Sequence, residues 1–265
     1  MPSPFAAKTH RDENDDLSGL EADSADEIAD ALGQQLRQLR ENAGSLGGNA
    51  VAGIVTAMVR VVEKNSDPLR LAIRTHLTGS AWLGIDAAEA EMPYDLGTGF
   101  SWDLAAAEAS AFVEQYGFDL VTGINATTEK GLRNALLRWI EDGGALEDLA
   151  DSIRPLFADE PATARIEALF NVDRATMIAE TEATRAYAEG KIRAYTANGL
   201  ADQPPTKKPP DDSHVRCRCD VALREYDDGW YWVWFTVRDE LVCPICMPLH
   251  EQQVGLAKAK EQVIG

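Results

Sequence analysis

The chain has 265 residues and a mass of 28.9 kDa, which is enough for one large or two modest domains with a buried core. Apolar residues make up 45% and charged residues 26%, a composition that excludes a globally disordered chain and a membrane protein. The net charge of −19 disfavours nucleic acid as the main partner, because most of the surface would repel phosphate. The start of the chain lacks the pattern of a secretion signal, so we expect it to be made in a cytoplasm.

The first part of the chain changes from an acidic segment to a series of helices. Residues 1–25 are polar and acidic without apolar periodicity, which predicts a flexible arm. From residue 26 apolar residues recur at helical spacing, and Gly117 and Thr127 have residue types that end and begin helices. The pattern predicts helices over 26–43, 50–64, 68–83, 102–117, 128–141, 145–157 and from about 172 to 198, with a loop over 92–101.

The last quarter of the chain has a different pattern. Prolines concentrated in 204–210 predict a stiff linker and the main domain boundary. Beyond it, 221–226 and 230–237 predict two strands around a tight turn. We therefore predict a mainly α protein, with a helical domain over 26–200 and a β-hairpin domain over 201–265 that includes a zinc knuckle.

The negative charge is unevenly distributed along the chain. Residues 86–119 contain no Lys or Arg, and their acidic residues are Asp86, Glu89, Glu91, Asp95, Asp103, Glu108, Glu114 and Asp119. Such a block is typical of a solvated face, and a docking surface for a basic partner is the alternative.

All four cysteines fall in two clusters on either side of the predicted hairpin. Antiparallel pairing brings these clusters together at its open end, where Cys-x-x-Cys spacing lets two thiolates reach one tetrahedral ion. We predict a structural zinc site, because four protein ligands leave no position for water. Buried apolar thiols and a redox pair are the alternatives. The predicted ligands are Cys217, Cys219, Cys243 and Cys246, with His214 as the first substitute and His250 as the second.

The longest predicted helix carries a second candidate group. Glu182 and Arg185 share one face, and we interpret them as a structural ion pair because no nucleophile accompanies them. Gly190 costs a helix about 1 kcal/mol relative to Ala, which predicts that another backbone or ring packs closely there. The sequence contains no phosphate-binding glycine loop and no other catalytic template, so we predict that the protein is not an enzyme.

Two segments carry a resemblance to a known family. They are Ile178-Ala-x-Thr181-Glu182-x-x-Arg185-Ala-Tyr187-x-x-Gly190 with Tyr195 and Gly199, and Asp239-x-x-Val-Cys243-Pro-x-Cys246-x-x-Leu249-His250. This pattern resembles the phage Mu F-like head morphogenesis family of minor head proteins. The resemblance follows the order of elements over about 100–254 and is specific over 178–199 and 232–254.

The chain departs from the family pattern in two places. Glu180 stands where the family usually has Arg before Thr-Glu. The family's closing Pro-Pro-x-His-x-x-Cys-Arg-Cys normally follows the Cys-x-x-Cys, whereas its counterpart here, 209–219, precedes it. A local permutation accounts for this order if both pieces are neighbours around one metal ion.

The resemblance implies a minor capsid protein that acts in head assembly at the portal vertex. It implies a place in the virion head after assembly in the host cytoplasm. The implied partners are the portal protein and the major capsid or scaffold protein, with self-association left open. A metal-dependent enzyme and a zinc-containing regulator that binds nucleic acid are the alternative functions.

Overall fold

The computed structural model describes residues 9–92, 99–211, 213–236 and 244–260. It confirms a mainly α fold with a small antiparallel sheet at its C-terminal end. None of the helices in these ranges combines the length and the apolar character needed to cross a membrane. The helices are α1 (Thr9–Asn42), α2 (Val51–Lys64), α3 (Asp67–Ala90), α4 (Trp102–Glu141), α5 (Arg154–Ala158), α6 (Glu160–Glu167) and α7 (Val172–Ala197), and the strands are β1 (Asp220–Tyr226), β2 (Gly229–Phe235) and β3 (Gln253–Ala259).

Helix α1 begins at Thr9, whereas the sequence predicts a flexible arm as far as residue 25. The helix extends because this segment has buried contacts of its own. Glu21 and Ser24 are buried, and Leu20 packs over Gly79 of α3. The sequence pattern did not predict these contacts, because this acidic part of the helix has few apolar residues before residue 26.

Helix α4 is continuous, so the predicted break between Gly117 and Thr127 is wrong. A helix tolerates an isolated glycine at a cost of about 1 kcal/mol. The hydroxyl of Thr127 donates to the carbonyl of Gly123 within the helix and does not cap a new one. The predicted helix over 145–157 is divided into a 3-10 turn at Leu146–Leu149 and α5, which has Pro155 in its first turn.

The chain forms two compact units that do not follow the predicted boundary near residue 200. Within the described residues, the first unit comprises the chain up to 23, 75–115 and everything from 177, and the second comprises 24–74 and 116–176. The proline-rich segment belongs to the same unit as the sheet. Its backbone binds β3, because the amide of Thr206 donates to the carbonyl of Val254 at 2.6 Å.

Helix α7 is the core of the first unit, and its residues from 178 to 195 are almost all buried. It crosses α3 at a backbone-to-backbone contact. A Cβ placed on Gly190 would lie 2.1 Å from the carbonyl oxygen of Ala81, and one on Gly84 would lie 2.1 Å from that of Tyr187. The prediction of a close approach at Gly190 is confirmed.

A buried ion cluster joins α7 to two other elements of this unit. The amine of Lys191, which has no solvent exposure, donates to Glu91 Oε1 at 2.8 Å and to Asp220 Oδ2 at 2.5 Å. The hydroxyl of Tyr195 donates to Glu91 Oε2 at 3.2 Å. Burial alone would lower the pKa of Lys191, but the two carboxylates outweigh that effect and raise it.

The sheet has the order β1-β2-β3, with both pairs antiparallel. The predicted hairpin is present, and Trp232 and Trp234 are fully buried. Strand β3 was not predicted, because its sequence of small and polar residues lacks the β-branched and aromatic character of β2. Trp232 fixes the sheet in this unit, since its indole N–H donates to the carbonyl of Gln203 at 2.7 Å.

The second unit is helical and contains a buried guanidinium. Arg174 donates to the hydroxyl of Thr128 at 2.9 Å and to the carbonyl of Ile124 at 3.0 Å. Its burial lowers the pKa of the guanidinium. These bonds connect the start of α7 with the middle of α4.

We predict that Gly190→Ala destabilises the protein by about 1–3 kcal/mol, because the added Cβ would overlap the Ala81 carbonyl and force backbone shifts. The matched control is Gly53→Ala in α2, where a Cβ would meet nothing within 4 Å. This control should stabilise the protein by up to about 1 kcal/mol through helix propensity. Urea unfolding measures the change in the free energy of unfolding for both variants. If the two changes were equal in size and sign, the close contact between α3 and α7 would be contradicted.

We predict that stability depends on the Glu21 carboxyl between acidic and neutral pH. Burial raises its pKa to about 7, although the Arg218 guanidinium opposes the shift. Because the folded chain holds this proton more tightly, the contribution to stability is greatest below about pH 4.5 and is lost as pH rises through about 7. Glu21→Gln removes this dependence.

The measurement is the free energy of unfolding of Glu21→Gln and wild type at about pH 5 and about pH 8. The variant should gain stability relative to wild type as the pH rises. A constant difference between the two pH values would contradict the raised pKa.

Candidate metal centre

Two loops of the first unit converge beside the sheet, one before β1 and one between β2 and β3. The Sγ atoms of Cys217 and Cys246 lie 3.8 Å apart. Together with a ring nitrogen of His214, their ligand atoms all lie within 4.8 Å of one another. Both sulfurs are buried, and His214 is half-buried. This group could bind a metal ion.

Helix α7 positions the loop that carries His214 and Cys217. The amide of Arg216 donates to the hydroxyl of Thr181 at 3.0 Å, and the hydroxyl of Thr184 donates to the carbonyl of Cys217. Arg216 has a φ of 60°, in the left-handed region that is uncommon for residues other than glycine. The two bonds to α7 hold the loop in this unusual conformation.

The loop that carries Cys246 is fixed by its own backbone. Cys246 precedes a 3-10 turn over Met247–Leu249, and the amide of Leu249 donates to the carbonyl of Cys246 at 2.9 Å. Pro248 supports the turn by restricting its own φ. The sulfur is thereby directed at the cysteine of the other loop.

The spacing of the two sulfurs fits a single tetrahedral ion. Zinc binds thiolate sulfur at about 2.3 Å, so two thiolates on one tetrahedral ion lie about 3.8 Å apart. The distance between the Sγ atoms of Cys217 and Cys246 is 3.8 Å. A disulfide needs about 2.05 Å, which is much shorter.

The hydrogen bond of His214 also suits a metal ligand. Its Nδ1 lies 2.6 Å from the carbonyl oxygen of Val215. A carbonyl can only accept, so Nδ1 carries the proton and the lone pair is on Nε2. Histidines that bind metals typically donate their other ring N–H in this way.

Ionisation of the Cys217 thiol favours a cation. Hydrogen bonds from the Cys219 thiol, and more weakly from Ser213, lower the pKa of Cys217 to about 5 although burial opposes this. The pKa of Cys219 is raised for the complementary reason, because its proton is held by Cys217. The thiolate is the form that binds metal.

The predicted ligands have different positions in the structure. Cys217, Cys246 and His214 form the group. The Cys219 thiol lies beside the other two sulfurs within hydrogen-bonding reach, as the nearest candidate for a fourth ligand. Cys243 lies outside the described residues. His250 is elsewhere, where its Nδ1 accepts from the amide of Thr236 at 3.1 Å.

The predicted pair of Glu182 and Arg185 lies on α7 next to this site. The guanidinium binds Glu182 at 2.9 Å and also reaches Asp211, just before the loop of His214. It therefore ties α7 to the end of the proline-rich segment. Asp211 and the hydroxyls of Thr181 and Thr184 were not predicted to take part. The three-residue spacing of Thr181 and Thr184 on α7 was the available signal.

Basic side chains around the site are paired with carboxylates. Arg216 binds Glu180 at 3.0 Å, and Arg218 binds Glu21 at 2.8 Å. Lys208 binds the buried Glu189. These three basic side chains are thus neutralised locally, which weakens the case for phosphate binding.

Comparison with family models, curated proteins and solved structures gave no match for this chain. The resemblance to the head morphogenesis family thus rests on the residues quoted above. The structure adds the geometry of those residues, independently of any relative.

We predict that the purified chain retains one zinc ion per molecule, and that Cys217→Ser combined with Cys246→Ser abolishes this binding, because the pair supplies both buried sulfurs. Metal analysis by inductively coupled plasma mass spectrometry measures the ratio. His250→Ala is the control and should keep the metal, since its ring nitrogen is bound to Thr236. Equal zinc content in the double variant and wild type would contradict the site.

Proposed function

We propose that this protein is a minor head protein of a tailed bacteriophage. It acts in head morphogenesis by docking on the portal or the inner capsid, and it carries a structural zinc ion. Its place would be the virion head, reached by assembly in the host cytoplasm. Portal protein and major capsid or scaffold protein are its partners in this proposal, and it acts as a structural protein with no catalytic role.

The observation that carries the proposal is that the two segments that resemble the family meet at one site, each through the loop of Cys217. Thr181 and Thr184, from the resembling part of α7, bind the backbone of Arg216 and Cys217. Cys217 in turn lies next to Cys246 of the Cys-x-x-Cys segment. Residues that share a family pattern by sequence therefore also share one site, as a functional or structural unit requires.

The order of the cysteine segments is consistent with this proposal. The segment of Cys217 precedes that of Cys246, the reverse of the usual family order. Because the two sulfurs meet, either order would supply the same ligands to one ion. The reversal therefore leaves the proposed site intact.

Zinc is the metal we propose for the site. Two soft thiolates and an imidazole suit zinc better than magnesium or calcium, which prefer oxygen. A fourth sulfur from Cys219 or Cys243 would close the coordination, which is typical of a structural ion. When bound, the ion would stabilise the junction of the two loops, while α7 orients the loop of Cys217 through Thr181 and Thr184.

The surface charge supports protein partners over nucleic acid. The chain carries a net charge of −19, and Arg216, Arg218 and Lys208 near the site are each paired with a carboxylate. A nucleic-acid-binding regulator would need a free basic surface. A structural role between proteins does not.

Quantitative mass spectrometry of phage particles and of empty precursor shells tests the proposal. We expect this chain in both, at a low and constant ratio to portal protein. The matched comparison is a phage that encodes Cys217→Ser and Cys246→Ser, which should lose the chain from its particles because the junction no longer folds. The His250→Ala phage is the control and should retain it.

Absence of the chain from both particles and shells would overturn the head role. A normal amount of the double cysteine variant in infectious particles would separate the two parts of the proposal. In that case the head role would stand and the need for the metal junction would fail.

A further inference from the structure

The end of α3 and the start of α4 form an exposed group that we call the tryptophan–acid surface, made of Trp82, Asp86, Glu89 and Trp102. The two indole rings meet edge to face, with centroids 5.8 Å apart. The indole N–H of Trp102 donates to Asp86 Oδ1 at 3.0 Å. Glu89 follows Asp86 by three residues, so it lies on the same side of α3. These contacts hold the rings and one carboxylate in a fixed arrangement.

Three members of the group are exposed to solvent, whereas Trp102 is half-buried. Trp82 is 45% exposed, and the carboxylates of Asp86 and Glu89 are both exposed. Their neighbours Ile85, Ala87 and Ala88 are buried, which fixes the orientation of this end of α3. Trp82 therefore presents part of an aromatic ring to solvent next to two carboxylates.

The charge at this end of α3 conflicts with the helix dipole. The C-terminal end of a helix carries a partial negative charge and is stabilised by Lys or Arg. The last turn of α3 has no basic residue, and it contains Glu89 with Asp86 just before it. Both carboxylates therefore make the local electrostatic potential, which is already negative, more negative.

In the described part of the chain, no cation pairs with these carboxylates. The sequence has no Lys or Arg between residues 75 and 115. Among the described residues, neither Asp86 nor Glu89 forms an ion pair, whereas Glu91 binds the buried Lys191. A local conflict of this kind is typical of a site that is completed by a ligand.

We propose that the tryptophan–acid surface binds an apolar segment of a partner protein that carries Lys or Arg. The cation lies against an exposed indole and between the carboxylates, and apolar side chains cover Trp82. Nucleic acid is excluded by the sign of the charge, and a second copy of the surface by like-charge repulsion. The inference goes beyond the head role and holds for any partner of this chemistry.

The test uses a short amphipathic helical peptide of Leu and Lys as the probe. Isothermal titration calorimetry with the full chain measures its Kd. Trp82→Ala, and Asp86→Asn combined with Glu89→Gln, should each weaken binding by about tenfold through loss of the cation–π and charge contacts. The indole N–H signal of Trp102 should shift in nuclear magnetic resonance spectra when the wild-type chain binds the peptide.

Two matched variants control for general charge and apolar exposure. Glu147→Gln combined with Asp148→Asn makes the same charge change at another exposed pair of acids, and Leu71→Ala removes a side chain that is 67% exposed elsewhere on α3. Each should change the Kd by less than about twofold, because neither touches the surface. Circular dichroism of every variant confirms that it is folded.

Three outcomes would overturn the proposal. The control variants could weaken binding as much as the surface variants, which would reduce the effect to net charge. The surface variants could leave the Kd unchanged. A peptide with Glu in place of Lys could bind equally well, which would exclude a site for cations.

Discussion

The first unit depends on one buried charge, the amine of Lys191. It lies between Glu91 at the end of α3 and Asp220 at the start of β1, so a single side chain connects three elements from distant parts of the sequence. A buried ion pair contributes little net stability, yet removing one partner leaves a charge that costs about 3–5 kcal/mol. Lys191 thus fixes the positions of these elements relative to one another. The loop of Cys217 ends directly at β1, so the candidate metal centre takes its place from the same constraint.

Helix α7 combines this constraint with an unusual composition. A buried helix is normally apolar on all sides, but α7 buries Thr181, Glu182, Thr184, Glu189 and Lys191. Thr181, Thr184, Glu189 and Lys191 each bind another segment of the unit, and Glu182 binds Arg185 of the same helix. The helix therefore works as a set of polar attachment points. Its small residues, Gly190 above all, allow α3 to approach closely enough to complete the core.

Local pattern was sufficient for the elements that have strong periodicity or strong β character. Helices α2 and α7 and the hairpin of β1 and β2 agree with the sequence because their own residues determine them. The elements that depend on tertiary contacts could not be predicted from local sequence pattern. The early turns of α1 depend on packing such as that of Leu20 over Gly79 of α3, and β3 is held by pairing with β2. At the candidate metal centre, the spacing identified Cys217 and Cys246, but the inclusion of His214 depends on a loop conformation set by Thr181.

The division of the chain into units has a consequence for its synthesis. The second unit is complete once residue 176 has been made, whereas the first needs the segment from 177 onward in addition to its earlier parts. The N-terminal part of a chain leaves the ribosome first, so the second unit can fold while translation continues. The early turns of α1 and the end of α3 must wait for α7 and the sheet. During this interval they expose apolar residues such as Ile85, and exposed apolar surface makes an unfinished unit prone to aggregation.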